Sequence, residues 1–472
     1  MGNKWGSRLL GELCHEITVG FVGSMTNEYI ETGIPFLRSK NINEYDVKWD
    51  DMKYVSPEFH KKLSKSALKP GDVAIVRTGK PGTTCVIPNS LKEANCSDVV
   101  IARVNDDLLC PHYLSYFMNA MSHGQVNAHV VGAVQQHFNV GSAKKLEIPL
   151  PSRAVQSEIV QVLKTLDDKL KLNRQINQTL EQMAQALFRS WFVDFDPVVD
   201  NALDAGFFEQ DLAFPDELLR RAEARRAVRE HRDFKSLPDA TRQLFPAAFE
   251  ECAEPSLGLG GWVPQGWKIA MLDEITCELR RGVSPKYVEE GGVQVINQKC
   301  IRNHEVSYEP ARRHNHEAKK IDGRELCIGD VLVNSTGVGT LGRIAQVTHL
   351  PETTVVDSHV TVVRVKDDVC PIYTFGQLML SMEGKIEQLG EGSTGQTELS
   401  RKILSEQLVI LPPSDIAGQV EKTFKSFSEK QVSNRKQCST LTNLRDTLLP
   451  KLISGELRLD QIEADLAKEG MA

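Results

Sequence analysis

The chain is written twice: the stretch from Trp5 to Phe192 recurs from Trp267 to Ile453, at an offset that drifts only between about 258 and 263 residues. Any fold must therefore supply two similar bodies and a way to join them. The copies agree at turn residues, where Leu68-x-x-Gly71-Asp72-Val73 returns as Leu326-x-x-Gly329-Asp330-Val331 and Thr78-Gly79 returns as Thr336-Gly337. They disagree at polar positions between. Arg38-Ser39-Lys40 stands opposite Asn297-Gln298-Lys299, and Val76-Arg77 opposite Asn334-Ser335. A scaffold kept while its hydrogen-bonding groups are rewritten is the pattern of two related readers of different targets.

A length of 472 residues allows about three or four domains. The net charge of -7 excludes a uniformly basic nucleic-acid coat but leaves room for a local basic face. The ten cysteines form no CxxC pair, which points to reduced thiols in a cytoplasmic protein. No segment has the apolar length of a signal peptide or membrane span.

Short runs such as Asp72 to Val76 and Val99 to Val104, with counterparts Asp330 to Val333 and Val360 to Val365, read as strands between Gly, Pro and Asn turns. Each copy closes with a strand and proline stop, Leu146 to Ser152 and Leu408 to Ser414, and a long helix follows. The first, about Arg153 to Phe192, carries Ile159, Leu163, Leu166, Leu170, Ile176, Leu180, Met183, Leu187 and Trp191 at helical steps. The second, about Ala417 to Leu449, carries Val420, Phe424, Phe427, Cys438, Leu441, Leu444 and Leu448. Two copies burying the same stripe pair most simply about a pseudo-twofold axis. The expectation is an α+β fold in which two β-rich domains are separated by two long helices forming an antiparallel coiled coil.

The divisions expected are a first domain 1–152, a spacer helix 153–193, a linker with helical insert 194–261, a second domain 262–414, a second helix 415–458 and a tail 459–472. In the linker, Arg221, Arg225, Arg229 and Arg232 share a helical face. They are expected to be solvated and paired to Glu217, Glu223 and Glu230.

Several motifs suggest chemistry that their surroundings do not support. Gly337-Val-Gly339-Thr-Leu-Gly342 fits a dinucleotide loop, but the residues after it are β-like and the sister copy, Gly79-Lys-Pro-Gly82, lacks the pattern. No phosphate loop accompanies Gly79-Lys80 or Gly384-Lys385, and Pro412-Pro413 lacks the flanks of an amino-methyltransferase tetrad. Asp167-Asp168-Lys169 lies on the spacer helix, where it reads as a surface charge cluster and not a nuclease site. His304, His314 and His316 have no counterpart in the first copy, so no metal is expected.

What remains is a set of polar turns suited to phosphates and base edges. In the first copy they hold Arg38, Ser39, Lys40, Arg77, Thr78, Lys80, Gln135 and Gln136. In the second they hold Asn297, Gln298, Lys299, Asn334, Thr336, Thr394, Gln396 and Thr397. Arg and Lys suit guanine O6 and N7; Asn and Gln suit adenine N6 and N7.

With these residues in view, nearly the whole chain resembles the specificity subunit of type I restriction-modification enzymes. The likeness rests on the Gly-Asp-Val strands and Thr-Gly turns, on Gly392-Ser-Thr-Gly-Gln-Thr397, on Ser190-Trp-Phe-Val-Asp-Phe-Asp-Pro197, and on Leu444 to Leu457 closing the second helix. Copy one departs at Gly132-Ala-Val-Gln-Gln136 and at Pro81. The resemblance implies two target recognition domains, each reading half of a bipartite, asymmetric duplex sequence, and no catalysis or cofactor in this chain. It implies two modification subunits carrying S-adenosylmethionine and two restriction subunits using ATP and magnesium. The alternatives are a DNA-binding scaffold without sequence preference and a stand-alone nuclease.

Overall fold

The computed structural model describes residues 5–129, 137–390 and 398–459. It divides into two compact units, one made of 1–173 with 437–472 and the other of 174–436. Both long helices contribute to both units.

In the first unit an antiparallel sheet runs in the order Cys14–Val19, Val99–Val104, Val73–Val76, Thr84–Val86. Strand alternation divides the side chains of its two central strands. Val73, Ile75, Val100 and Ala102 enter one core, with Tyr113 and Phe117 of the helix Pro111–Met121. Ala74, Val76, Val99 and Ile101 enter another. A sheet buried on both faces explains why these strands read as continuous apolar runs. A five-stranded sheet joins Ile34–Leu37 to Ala94–Cys96 in parallel.

The second unit repeats the plan. Its sheet runs Thr276–Arg281, Val360–Val365, Val331–Asn334, Ile344–Gln346, and Val293–Ile296 pairs in parallel with Thr354–Val356. In each copy the closing strand returns to the opening one: Glu147–Pro149 pairs with Ser7–Leu9, and Leu408–Leu411 with Lys268–Met271.

The recurrent Gly-Asp-Val acquires a structural reason. Asp330 Oδ2 accepts from Cys327 N at 2.7 Å, tying its own turn, while both carboxylate oxygens take a fork from Arg364 at 2.6 and 2.8 Å. Arg364 also donates to Glu278 at 3.2 Å. Copy one holds the same three groups: Lys69 N donates to Asp72 at 2.9 Å, Arg103 Nε lies 3.6 Å from Asp72, and Arg103 bonds Glu16.

The long helices run Arg153–Phe188, continued by a π-helical turn Arg189–Val193, and Ser414–Ser454. In the first unit Arg445 bonds Asp167 at 2.9 Å and Asn173 Nδ2 donates to Gln437 Oε1 at 2.7 Å. In the second, Asn177 and Gln431 exchange side-chain-to-carbonyl bonds of 3.2 Å, and the rings of Phe188 and Phe424 lie 6.4 Å apart. Partner numbers fall as the first helix advances, so the pairing is antiparallel in each unit. Two seam positions need correction. Met183 and Leu444, expected inside, are 49% and 44% exposed. Ala184 is buried, and Arg445 lies largely inside in the corresponding place, because the seam steps in fours through Leu180, Ala184 and Phe188.

The insert also differs from expectation. Arg221, Arg225 and Arg229, on the helix Asp216–Arg229, are mostly buried and reach carboxylates of the helix Asp196–Asp204 and the residues before it. Arg225 makes a fork to Asp200 with two bonds of 2.8 Å. The expected partners Glu217, Glu223 and Glu230 belong to the same helix as the arginines, whereas an acidic ladder at 196, 200 and 204 matches the arginine steps across the interface. Under it packs an aromatic core including Trp191, Phe192, Phe195, Phe245, Trp262 and Trp267, which accounts for the apolar part of Ser190–Pro197.

Candidate nucleic-acid interface

In the first copy the short 3-10 turn Ser39–Asn41 leaves a strand end beside the Thr78-Gly79 turn. Both meet Asp98, which precedes the central strand and sits at φ +54°, a left-handed conformation that Asp tolerates. Ser39 Oγ donates to Asp98 O at 2.6 Å and to its carboxylate at 2.9 Å. Thr78 Oγ1 donates to the same carboxylate. Arg77 NH1 lies 4.0 Å from Asp98 Oδ1, and its Nε donates to Phe138 O at 3.4 Å. Lys80 is exposed on the adjoining turn, between Gly79 at φ +84° and Gly82 at φ +92°.

Arg38 and Lys40 face a second carboxylate, Asp51. Lys40 and Lys53 hold the Asp51 carboxyl well below the usual carboxylate range. Arg38 is largely buried, donating to Asn41 Oδ1 at 3.3 Å and to Asp51 O, so it supports the turn from beneath. Lys40 is 56% exposed. An exposed ion pair is weak, so a phosphate can compete for this lysine.

In the second copy the turn Gln298–Cys300 occupies the same place. Gln298 Nε2 donates to Thr336 O at 2.6 Å and also to Thr336 Oγ1. Thr336 Oγ1 lies 3.0 Å from Nδ1 of His359. Asn297 caps the turn by accepting from Lys299 N at 2.9 Å, and Lys299 is exposed. Asn334 is fully buried; its Nδ2 donates to Gln298 O at 3.3 Å, which places it under the turn and away from solvent. Gln135, Gln136, Thr394, Gln396 and Thr397 lie outside the described residues.

The glycine-rich turn of this copy has Gly337, Gly339 and Gly342 at positive φ and runs into the strand Ile344–Gln346. The turn is continued by a strand and not by a helix, and Glu383, which opens the short helix Glu383–Gln388, accepts from Ile344 N at 2.7 Å. His314 is buried, with Nδ1 receiving Lys286 N at 2.9 Å and Nε2 lying 2.8 Å from Lys319 O.

Equivalent elements thus bring three side chains together in each copy, Ser39, Thr78 and Asp98 in one and Gln298, Thr336 and His359 in the other. The family described as type I restriction modification DNA specificity domain matches residues 3–182. Over these residues, and in its curated relatives over most of its length, the chain is similar to the specificity subunits of type I restriction-modification systems. Among its relatives, the type I restriction enzyme HindI specificity subunit of Haemophilus influenzae is 26% identical over 84% of this chain and 88% of its own length. The MjaIX specificity subunit of Methanocaldococcus jannaschii is 21% identical over 92% and 89%. The crystal structure of a type I S subunit from M. genitalium shares the fold, with a TM-score of 0.55 at 14% identity over 95% of this chain and 96% of that one.

The matched family is one of DNA specificity domains, and both curated relatives are specificity subunits. No described helix is long and apolar enough to cross a membrane. Asp98 and His359 are not among the residues expected from the sequence. A signal for both existed: at the offset of 261 that aligns Val99–Val104 with Val360–Val365, an acid faces an imidazole one residue before the strand.

Proposed function

We propose that this specificity subunit reads a bipartite, asymmetric sequence in double-stranded DNA, one half with each repeat. The first half is read around Ser39, Arg77, Thr78 and Asp98, and the second around Gln298, Thr336 and His359. Lys40, Lys80 and Lys299 contact phosphates that set register, while the turn residues face base edges in the major groove. One observation carries the reading: equivalent turns hold hydrogen-bonded clusters of different chemistry, an acid beside an arginine in one and an imidazole beside an amide in the other.

The subunit itself holds no cofactor and acts in the cytoplasm. Two modification subunits bring S-adenosylmethionine and methylate adenine, and two restriction subunits spend ATP, with magnesium, on translocation and cleavage. The long helices act as the ruler between half-sites, whose centres lie on the order of one duplex turn apart. Lengthening both helices by a few residues is expected to lengthen the tolerated gap, read from the methylated motif; an unchanged gap would remove the ruler.

The test is methylome sequencing of cells carrying the subunit with its modification partner, against cells lacking it. A new split motif methylated on both strands is expected, and its absence despite an assembled complex would refute the reading. Arg77→Ala should relax stringency in one half of that motif only, since a good base contact is worth about 1–3 kcal/mol.

A further inference from the structure

Beside the second cluster lies a cleft of about 730 Å³, lined among others by Arg281, Arg324, Arg401, Ser358 and Glu398. It adjoins the proposed reading turn on two sides. Ser358 immediately precedes His359, and Glu398 forms a β-bridge with Thr336. Arg281 is the fixed member. It ends the strand Thr276–Arg281 and donates to Ser358 O at 3.2 Å, Leu399 O at 2.8 Å and Glu398 Oε1 at 2.9 Å. Arg324 donates to Arg281 O at 3.3 Å and is otherwise exposed, as is Arg401.

Three guanidinium groups against the single carboxylate of Glu398 leave a formal excess of two positive charges among these residues (3 − 1 = 2). Burial and the charge of Arg401 both work against the Arg281 cation. An anion entering the cleft relieves that repulsion, and planar guanidinium groups suit the oxygens of a phosphodiester. The first copy lacks these three arginines. At the aligned positions stand Val19, Ser66 and Val140, at offsets of 262, 258 and 261.

We infer that Arg281, Arg324 and Arg401 form a clamp for backbone phosphates of the DNA half-site read by the second repeat, an electrostatic anchor that the first repeat lacks. The inference rests on the DNA-reading function proposed above and adds an asymmetry to it. Arg281 positions the cleft wall, while Arg324 and Arg401 supply the mobile charge. Each phosphate neutralised contributes about 0.9 to the slope of log K against log salt concentration.

The experiment measures that slope for the assembled methyltransferase complex on a duplex bearing the target motif, with wild-type subunit, R324Q/R401Q and R324K/R401K. The glutamine variant should bind the same motif with a slope shallower by about one to two, and the lysine variant should restore it. Methylphosphonate substitution in the second half-site should weaken the wild-type complex and leave the glutamine variant little changed. A glutamine variant with the wild-type slope overturns the clamp, as does a shallow slope that lysine does not restore. Loss of sequence preference by the wild-type complex would instead overturn the function on which the clamp rests.

Discussion

Arg364→Ala should be among the most damaging single substitutions in the second unit. The Asp330 side chain has no solvent exposure, and its charge is met by the Arg364 fork at 2.6 and 2.8 Å and by one backbone N–H at 2.7 Å. Removing the guanidinium leaves a buried carboxylate with a single donor, a loss of about 3–5 kcal/mol. For a unit of 263 residues, 174 to 436, this corresponds to a fall in melting temperature of about 6–20 °C, at about 2–4 °C per kcal/mol. The aligned Arg103 is looser. Its Nε is 3.6 Å from Asp72, and its other carboxylate partner, Glu16, is 45% exposed, so Arg103→Ala should cost no more than about 2 kcal/mol. Urea and thermal unfolding of both variants, with D330N and D330N/R364A closing a double-mutant cycle, test the argument. The expected coupling is about 2–3 kcal/mol. An R364A loss below about 1 kcal/mol, or an R103A loss larger than the R364A loss, would refute the assignment of Gly-Asp-Val to a structural ion pair.

Two other predictions concern charged groups. His304 lies 3.2 Å from Glu181 and 3.3 Å from Glu383, and these bonds, Glu181 first, push its pKa up from 6.5 to about 9. The bonus is complete below pH 6.5 and disappears as pH rises through about 9. With the imidazole 24% exposed it is on the order of 2 kcal/mol, and H304Q should flatten that slope in melts taken from pH 6 to 9.5. In the insert, Arg225→Ala should cost about 3 kcal/mol by stranding Asp200, while glutamine at Glu217, Glu223 or Glu230 should change stability by less than about 0.5 kcal/mol. Equal losses from the two sets would restore the same-helix pairing that the geometry displaces.

The fold was legible where runs and repeats were at work. Short apolar runs between duplicated turns located the buried strands, and the helical stripe with its 261-residue offset implied antiparallel pairing. The errors lie where size and hydrophobicity were poor guides to burial. Met183 is bulkier and more apolar than Ala184, yet Ala184 is the one buried, in a core with Phe188, Val420 and Phe424. The arginine stripe was visible, but its carboxylates lie on another helix, and local spacing contains no information about that pairing. The polar turns were legible as positions. Their internal chemistry was not, because Asp98 and His359 approach from a distant part of the chain.

Those two residues decide what each cluster can offer a ligand. In the first copy the Asp98 carboxylate only accepts; Ser39 and Thr78 both donate into it, and Arg77 supplies the nearby donors. In the second copy Gln298 donates to Thr336 Oγ1, which lies 3.0 Å from His359 Nδ1. The exposed imidazole, a ring able to donate or to accept, thus stands where the first copy presents a carboxylate that only accepts. The backbone places the two groups equivalently, one residue before the same strand, so the change of chemistry leaves the frame in place. Under the proposed function, a duplicated scaffold would alter the target of one repeat by side-chain replacement at three convergent turns while the Arg–Asp pairs beneath continue to hold both sheets.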